Sequence, residues 1–155
     1  MSESNVTGKQ ANEQTGRATE PVGSEFRRLV LWQKAQGLAA EVAELVTRLP
    51  SDRASGVIAS QLLRAATSIA ANIAEGYGRY SQAAYRSHLS IARGSAFEVE
   101  SWLDLLERRG YLPEEAAGGL FDHCQEVQKL LTLRMKSLGE ASRTYAREEK
   151  ADYEV

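Results

Sequence analysis

The sequence predicts an all-α protein, an up-and-down antiparallel four-helix bundle, on three observations. Apolar residues recur at spacings of three and four through four separate segments between residues 26 and 138. The breaks between segments are short and marked by Pro, Gly and Ser, and no stretch alternates with the period of a strand. Helices joined by connections of about two to eight residues pack antiparallel, and 155 residues with 43% hydrophobic content suffice for one core without disulfides or metal.

The first helix is expected over Phe26 to Leu49. There Leu31, Trp32, Ala35, Leu38, Ala39, Val42, Ala43, Val46 and Leu49 share one face, opposite Gln33, Lys34, Glu41, Glu44 and Arg48. Pro50 stops it and PSDR turns the chain. The second runs from about Ser55 to Glu75, with Ile58, Leu62, Ala65, Ala66, Ile69 and Ile73 inward; its many alanines and serines allow another backbone close. The third starts at Ser81, a good N-cap, and buries Tyr85, Leu89, Ala92, Ala96, Val99, Leu103 and Leu106. It ends at Arg109, with Gly110 at the C′ position and Pro113 opening the next helix. The fourth, Glu114 to about Leu138, repeats the pattern with Leu120, Cys124, Val127, Leu131, Met135 and Leu138.

Both ends read as tails. Residues 1–23 carry only two Val as large aliphatics, too little apolar surface to offset chain entropy, and are expected to be a disordered N-terminal tail. The bundle domain is placed at 24–139, and residues 140–155 as a charged tail, frayed or disordered. No run approaches the roughly 18–20 apolar residues of a spanning helix, so no membrane role is expected. A single cysteine forbids an internal disulfide and, with no secretory signal at the N-terminus, predicts a cytoplasmic location. Residues 25–139 hold 14 Lys and Arg against 13 Asp and Glu, unlike the strongly basic balance of a duplex-binding domain.

The stretch IAANIAEGYGRYS, residues 69–81, departs from this plain periodicity. Arg64, Ser68, Asn72 and Glu75 fall at i, i+4, i+8 and i+11 and form a polar stripe beside the apolar face of the second helix. Such a stripe is either solvated or pressed against another helix or subunit, where Asn72 and Glu75 find donors. Gly76 and Gly78 are read as permitting the left-handed backbone of a reversal, and Arg79 can meet a carboxylate or a phosphate. Structural use of the motif outweighs ligand binding.

FRRLVLWQKAQGLAAEV, QLLRAATSIAANIAEGYGR and YRSHLSIARGSAFEVESWL together resemble the bacterial four-helix-bundle proteins encoded by intervening sequences within large-subunit ribosomal RNA genes. The likeness spans residues 26–138, and its most specific parts are SIAANIAEGYGR and IARGSAFEVE. The resemblance implies a left-handed bundle assembled as a closed homopentamer. It also implies kinship in fold with the accessory proteins of diversity-generating retroelements, small basic pentamers that work with a reverse transcriptase; this chain departs from them in being mildly acidic, with a net charge of −2.

The third helix gives its own sign of assembly. Arg86, Ser90, Arg93, Phe97, Glu100 and Asp104 are read as lying opposite its core face, with Arg79, Arg86 and Arg93 at intervals of seven and Glu98, Glu100, Asp104 and Glu107 following. A helix basic in one half and acidic in the other, with an outward Phe97, suits a head-to-tail subunit contact that closes a ring, and equally a solvated mixed-charge face with one stray Phe; Arg79, Arg86, Arg93 and Phe97 are the candidates for a subunit or nucleic-acid contact.

Catalysis finds no footing in the sequence. His88 and His123 have no carboxylate or cysteine partner at ligand spacing, Glu-x-x-His pairs are missing, and Cys124 falls on an apolar face. GYGRYS lacks the preceding strand that a phosphate loop requires. The expectation is a non-enzyme without metal or cofactor. Two readings stay open: an oligomeric scaffold or accessory protein that binds structured RNA or an RNA-associated enzyme such as a reverse transcriptase, and a purely protein-directed assembly module.

Overall fold

The computed structural model describes residues 25–112 and 114–153. A 3₁₀ turn at Glu25–Arg28 leads into four helices: α1 Val30–Val46, α2 Arg53–Tyr77, α3 Gln82–Arg108 and α4 Glu114–Tyr153. Each packs on its neighbours in chain order and α4 closes back on α1, which is the up-and-down bundle the periodicity predicts. The region expected as an N-terminal tail, 1–23, lies outside the described residues.

Helix α1 begins four residues later than predicted because Leu29 is extended, at φ −68° and ψ 119°, and the preceding turn folds back on the helix. Gln33 Nε2 donates to Arg27 O at 2.9 Å, and the Phe26 ring meets Trp32 edge-on at 5.1 Å. Helix α2 begins two residues earlier than predicted because Asp52 caps it. Its carboxylate accepts from Ala54 N (2.9 Å), Ser55 N (3.1 Å) and the buried Ser55 hydroxyl (2.6 Å). The bond from that hydroxyl is the largest cause holding the Asp52 carboxyl below its ordinary range. By length and composition α2 could cross a bilayer, but its Ile58, Leu62, Ile69 and Ile73 are buried in the bundle core.

Ser81 caps α3 as predicted, accepting from Ala84 N at 3.1 Å. At the other end Tyr111 N donates to Leu106 O and Gly110 N to Glu107 O, both at 2.9 Å, with Gly110 at φ 67°. These are the two bonds of a Schellman motif, which glycine alone adopts without strain. The expectation of a left-handed Gly76 or Gly78 is corrected. Gly110 is the positive-φ glycine among the described residues; Gly76 lies within α2 and Gly78 sits at φ −76°. Gly76 is needed for space: a Cβ there would lie 2.7 Å from His88 Cβ and 2.9 Å from Tyr85 Cδ2.

All seven predicted inward residues of α3 are buried, and Leu38, Leu62, Ile69, Leu103 and Leu131 anchor the centre. In α1 the forecast errs at two places: Ala43 is exposed and Leu45 is buried. Helix α4 continues through Tyr153, past the expected end near Leu138; strong helix formers follow Gly139, whose missing side chain leaves room for the Arg86 guanidinium (3.3 Å to its Cζ from a built Cβ). Residues 140–147 of this extension are exposed.

Candidate functional site

The polar stripe of α2 forms a seam with α3. Arg64 Nη2 pairs with Glu98 at 2.7 Å, and Ser95 Oγ donates to Ser68 Oγ at 3.1 Å. Asn72 Nδ2 donates to Ser68 O (2.9 Å) and to Ser68 Oγ (3.1 Å). This turns the Asn72 carbonyl toward His88 Nδ1, 3.4 Å away. The other ring nitrogen of His88, Nε2, lies 3.8 Å from Glu75 Oε1. Glu75 also pairs with Arg79 one turn on. Helix spacing within α2 foretold the stripe; its partners sit on α3, which spacing within one helix does not show.

The seam therefore engages Arg64, Ser68, Asn72, Glu75 and Arg79 inside one chain, and Gly76 brings α3 close enough for this to happen. His88 gains a carboxylate neighbour that sequence spacing concealed. So does His123: its Nδ1 lies 2.9 Å from Glu41 across the α1–α4 contact, and its ring rests on Gly37. His123 Nε2 is buried with no hydrogen-bond partner among the described residues.

Arg86, Arg93 and Phe97 do not point directly away from the core as expected; they lie on the flank of α3 that faces α4. The Arg86 guanidinium covers Gly139, while Arg93 Nε donates to Thr132 Oγ1 at 3.1 Å and its guanidinium stacks over the Phe97 ring at 5.1 Å. Neither arginine meets a carboxylate among the described residues. Phe97 is 47% exposed and stands beside Leu133, 53% exposed, around a shallow depression of ≈ 320 Å³ edged by Lys129, Thr132 and Gln128. Leu133 was missed because it falls two residues off the apolar face that Leu131 defines; that misfit was its only sequence signal.

Of the acidic half of α3, Glu98, Glu100 and Asp104 are engaged internally. Glu100 accepts from Gln125 Nε2 (3.1 Å) and Gln128 Nε2 (2.6 Å), and Asp104 pairs with Arg108 at 2.7 Å. A second concavity of ≈ 330 Å³ opens between α1 and α4, where Ala116 and Gly119 leave room; Leu45, Leu120 and Tyr111 form its apolar wall and Glu41, Glu44 and Glu115 its rim.

Comparison with known proteins assigns the relationship. The description 23S rRNA-intervening sequence protein matches residues 27–133. The chain belongs to this family. A crystal structure from Bacteroides thetaiotaomicron, described as a protein with unknown function from the S23 ribosomal protein family, is 34% identical. It aligns over 69% of this chain and 99% of its own length, with a TM-score of 0.65. No curated protein matches.

The match to the 23S rRNA-intervening sequence family takes in the seam, the Arg86–Arg93–Phe97 flank and Leu133, and stops short of the α4 extension. Cys124 is buried, donates from Sγ to Ala96 O at 3.2 Å, and has its thiol pushed up to about 12, chiefly by burial. A thiol in that state is a packing group at neutral pH. Among the described residues no group of three His, Cys, Asp or Glu side chains is placed to hold a metal ion.

Proposed function

We propose that this member of the 23S rRNA-intervening sequence family is a non-catalytic scaffold that works by self-association in a reducing cytoplasm. The observation that carries the reading is the α3–α4 flank. Phe97 and Leu133, half exposed and adjacent, stand beside cations that no carboxylate of the described residues neutralises. An apolar centre with a charged margin is the composition of a subunit contact, and desolvated aromatic anchors carry most of the energy of such contacts.

A second reading has its own support. Arg86 and Arg93 lie seven residues apart on one flank, and repeated around an oligomer they would concentrate positive charge against structured RNA or an RNA-bound enzyme. Against it stand the consumption of Arg64 and Arg79 in the seam and the near-neutral balance of the bundle.

One variant separates the two. Arg86→Glu with Arg93→Glu leaves the core untouched. Under the scaffold reading it lowers the mass measured by light scattering. Under the RNA reading the assembly persists while filter-binding affinity for structured RNA falls and its salt dependence becomes shallower. Unchanged mass with no RNA affinity at low salt, before or after mutation, refutes both uses of the flank.

A further inference from the structure

At the end of the bundle where α1 begins, three kinds of hydrogen-bond donor converge without an acceptor, and self-association makes no use of them. Helix α1 starts on Leu29, which supplies no side-chain cap. The first-turn amides of Val30, Leu31 and Trp32 therefore donate to nothing among the described residues. Tyr85 of α3 is 7% exposed, and its hydroxyl makes no hydrogen bond among the described residues. The Arg134 guanidinium of α4 lies over the Tyr85 ring, 5.6 Å from its centre, and has no ion pair among the described residues.

These groups meet at one cleft of ≈ 260 Å³, walled by Leu29, Val30, Leu31 and Leu130, with Tyr85 and Arg134 as its polar lining. The Tyr85 oxygen is not sealed in the core, so it opens on this cleft. The cleft has a local cause. The turn before α1 folds toward α2, where Phe26 packs on Trp32 beside Ala70 and Ala74, and so leaves the α4 side of the helix start uncovered. It lies at the opposite end of the α1–α4 interface from the concavity of Tyr111 and Glu115.

We propose that this cleft binds a small monocarboxylate with an apolar body. The amino end of a helix, a guanidinium and a phenol O–H all favour an anion, and no carboxylate lines the cleft to compete with it. One uncompensated cation suits one negative charge. A phosphate dianion finds no second cation in the lining and leaves the leucine walls unused. The volume falls just below the usual ligand range of about 300–1,000 Å³, which limits the body to a short chain or a single ring. The carboxylate accepts from the Tyr85 hydroxyl and from Arg134 at the mouth, and the body lies against Leu31 and Leu130.

Calorimetric titration of the full chain with octanoate, octanamide and inorganic phosphate tests this, on wild type, Arg134→Gln and Tyr85→Phe. Arg134 is exposed and the Tyr85 hydroxyl holds no bond, so both variants are expected to stay folded, which melting curves verify. Octanoate is expected to bind saturably, about tenfold or more tighter than octanamide or phosphate. Arg134→Gln should weaken octanoate about tenfold, and Tyr85→Phe several-fold with no loss of thermal midpoint in the absence of ligand. Octanamide that binds as tightly as octanoate overturns the anion site, and phosphate that does so overturns the apolar body. Octanoate affinity unchanged in either variant overturns the placement. No saturable octanoate binding at millimolar concentration overturns the proposal outright. None of these results bears on self-association, which is read from molar mass.

Discussion

Replacing Gly76 tests the account of the α2–α3 seam, because the account rests on space and not on backbone conformation. A Cβ at this position would lie 2.7 Å from His88 Cβ, 2.9 Å from Tyr85 Cδ2 and 3.3 Å from Tyr85 O. Carbon atoms pack at about 3.5–4.0 Å, and His88 Cβ is tied directly to the α3 backbone. Relief therefore requires α3 to retreat from α2 by roughly 1 Å. Overpacking of this kind costs about 1–3 kcal/mol, and alanine in place of a helical glycine returns about 1 kcal/mol, so Gly76→Ala should destabilise by about 1 kcal/mol and Gly76→Val by about 2–3. For a domain of this size each kcal/mol lowers the thermal midpoint by about 3–5 °C. Gly94→Ala is the control: it is exposed in mid-α3, nothing lies within 4 Å of its added Cβ, and it should stabilise by about 0.5–1 kcal/mol. The assay is urea denaturation of the three variants, with the His88 imidazole resonances followed by NMR, since the retreat pulls the ring away from Asn72 and Glu75. A Gly76→Val protein as stable as wild type would refute the reasoning.

Other consequences follow from the same geometry. The Cys124 thiol should resist alkylation in the native protein at neutral pH and react once the chain is unfolded. Because its folded-state value is raised to about 12, its contribution to stability is complete below the unfolded value near 8.5 and is lost as pH rises toward 12. Asp52→Ala should lower the thermal midpoint at pH 7. Since the Asp52 carboxyl is held below its ordinary range, the deficit relative to wild type should be full above about pH 4 and shrink as pH falls through the folded value. A chain ending at Arg143 keeps the Ser142–Gln82 bond of 3.0 Å and removes only solvated turns among those whose exposure is described. It should lose helical ellipticity without a shift in thermal midpoint; a lowered midpoint would mean that the α4 extension packs.

The fold was legible because each helix states its own inward face. The α3 periodicity named all seven buried residues, and the Ser81 cap and the Gly110 stop each follow from backbone chemistry local to one end of the helix. What the sequence hid depends on register between helices. Arg64 and Glu98, Ser68 and Ser95, Asn72 and His88 meet only because α2 and α3 run antiparallel at one particular offset, and no single-helix pattern encodes that offset. Gly76 shows the same limit: a glycine near a helix end reads as a turn residue until the neighbouring helix is in place. Leu133 and the α1–α4 groove were hidden for a related reason, since a surface patch is assembled from residues of two elements.

Molar mass in solution tests the central claim most directly. Sedimentation or light scattering of the wild-type chain, followed over a wide concentration range, should give a multiple of 17.0 kDa, and Phe97→Glu with Leu133→Glu should return it to a single chain with the melting curve preserved. A wild-type protein that remains at 17.0 kDa throughout, or a variant that assembles as the wild type does, would contradict the account.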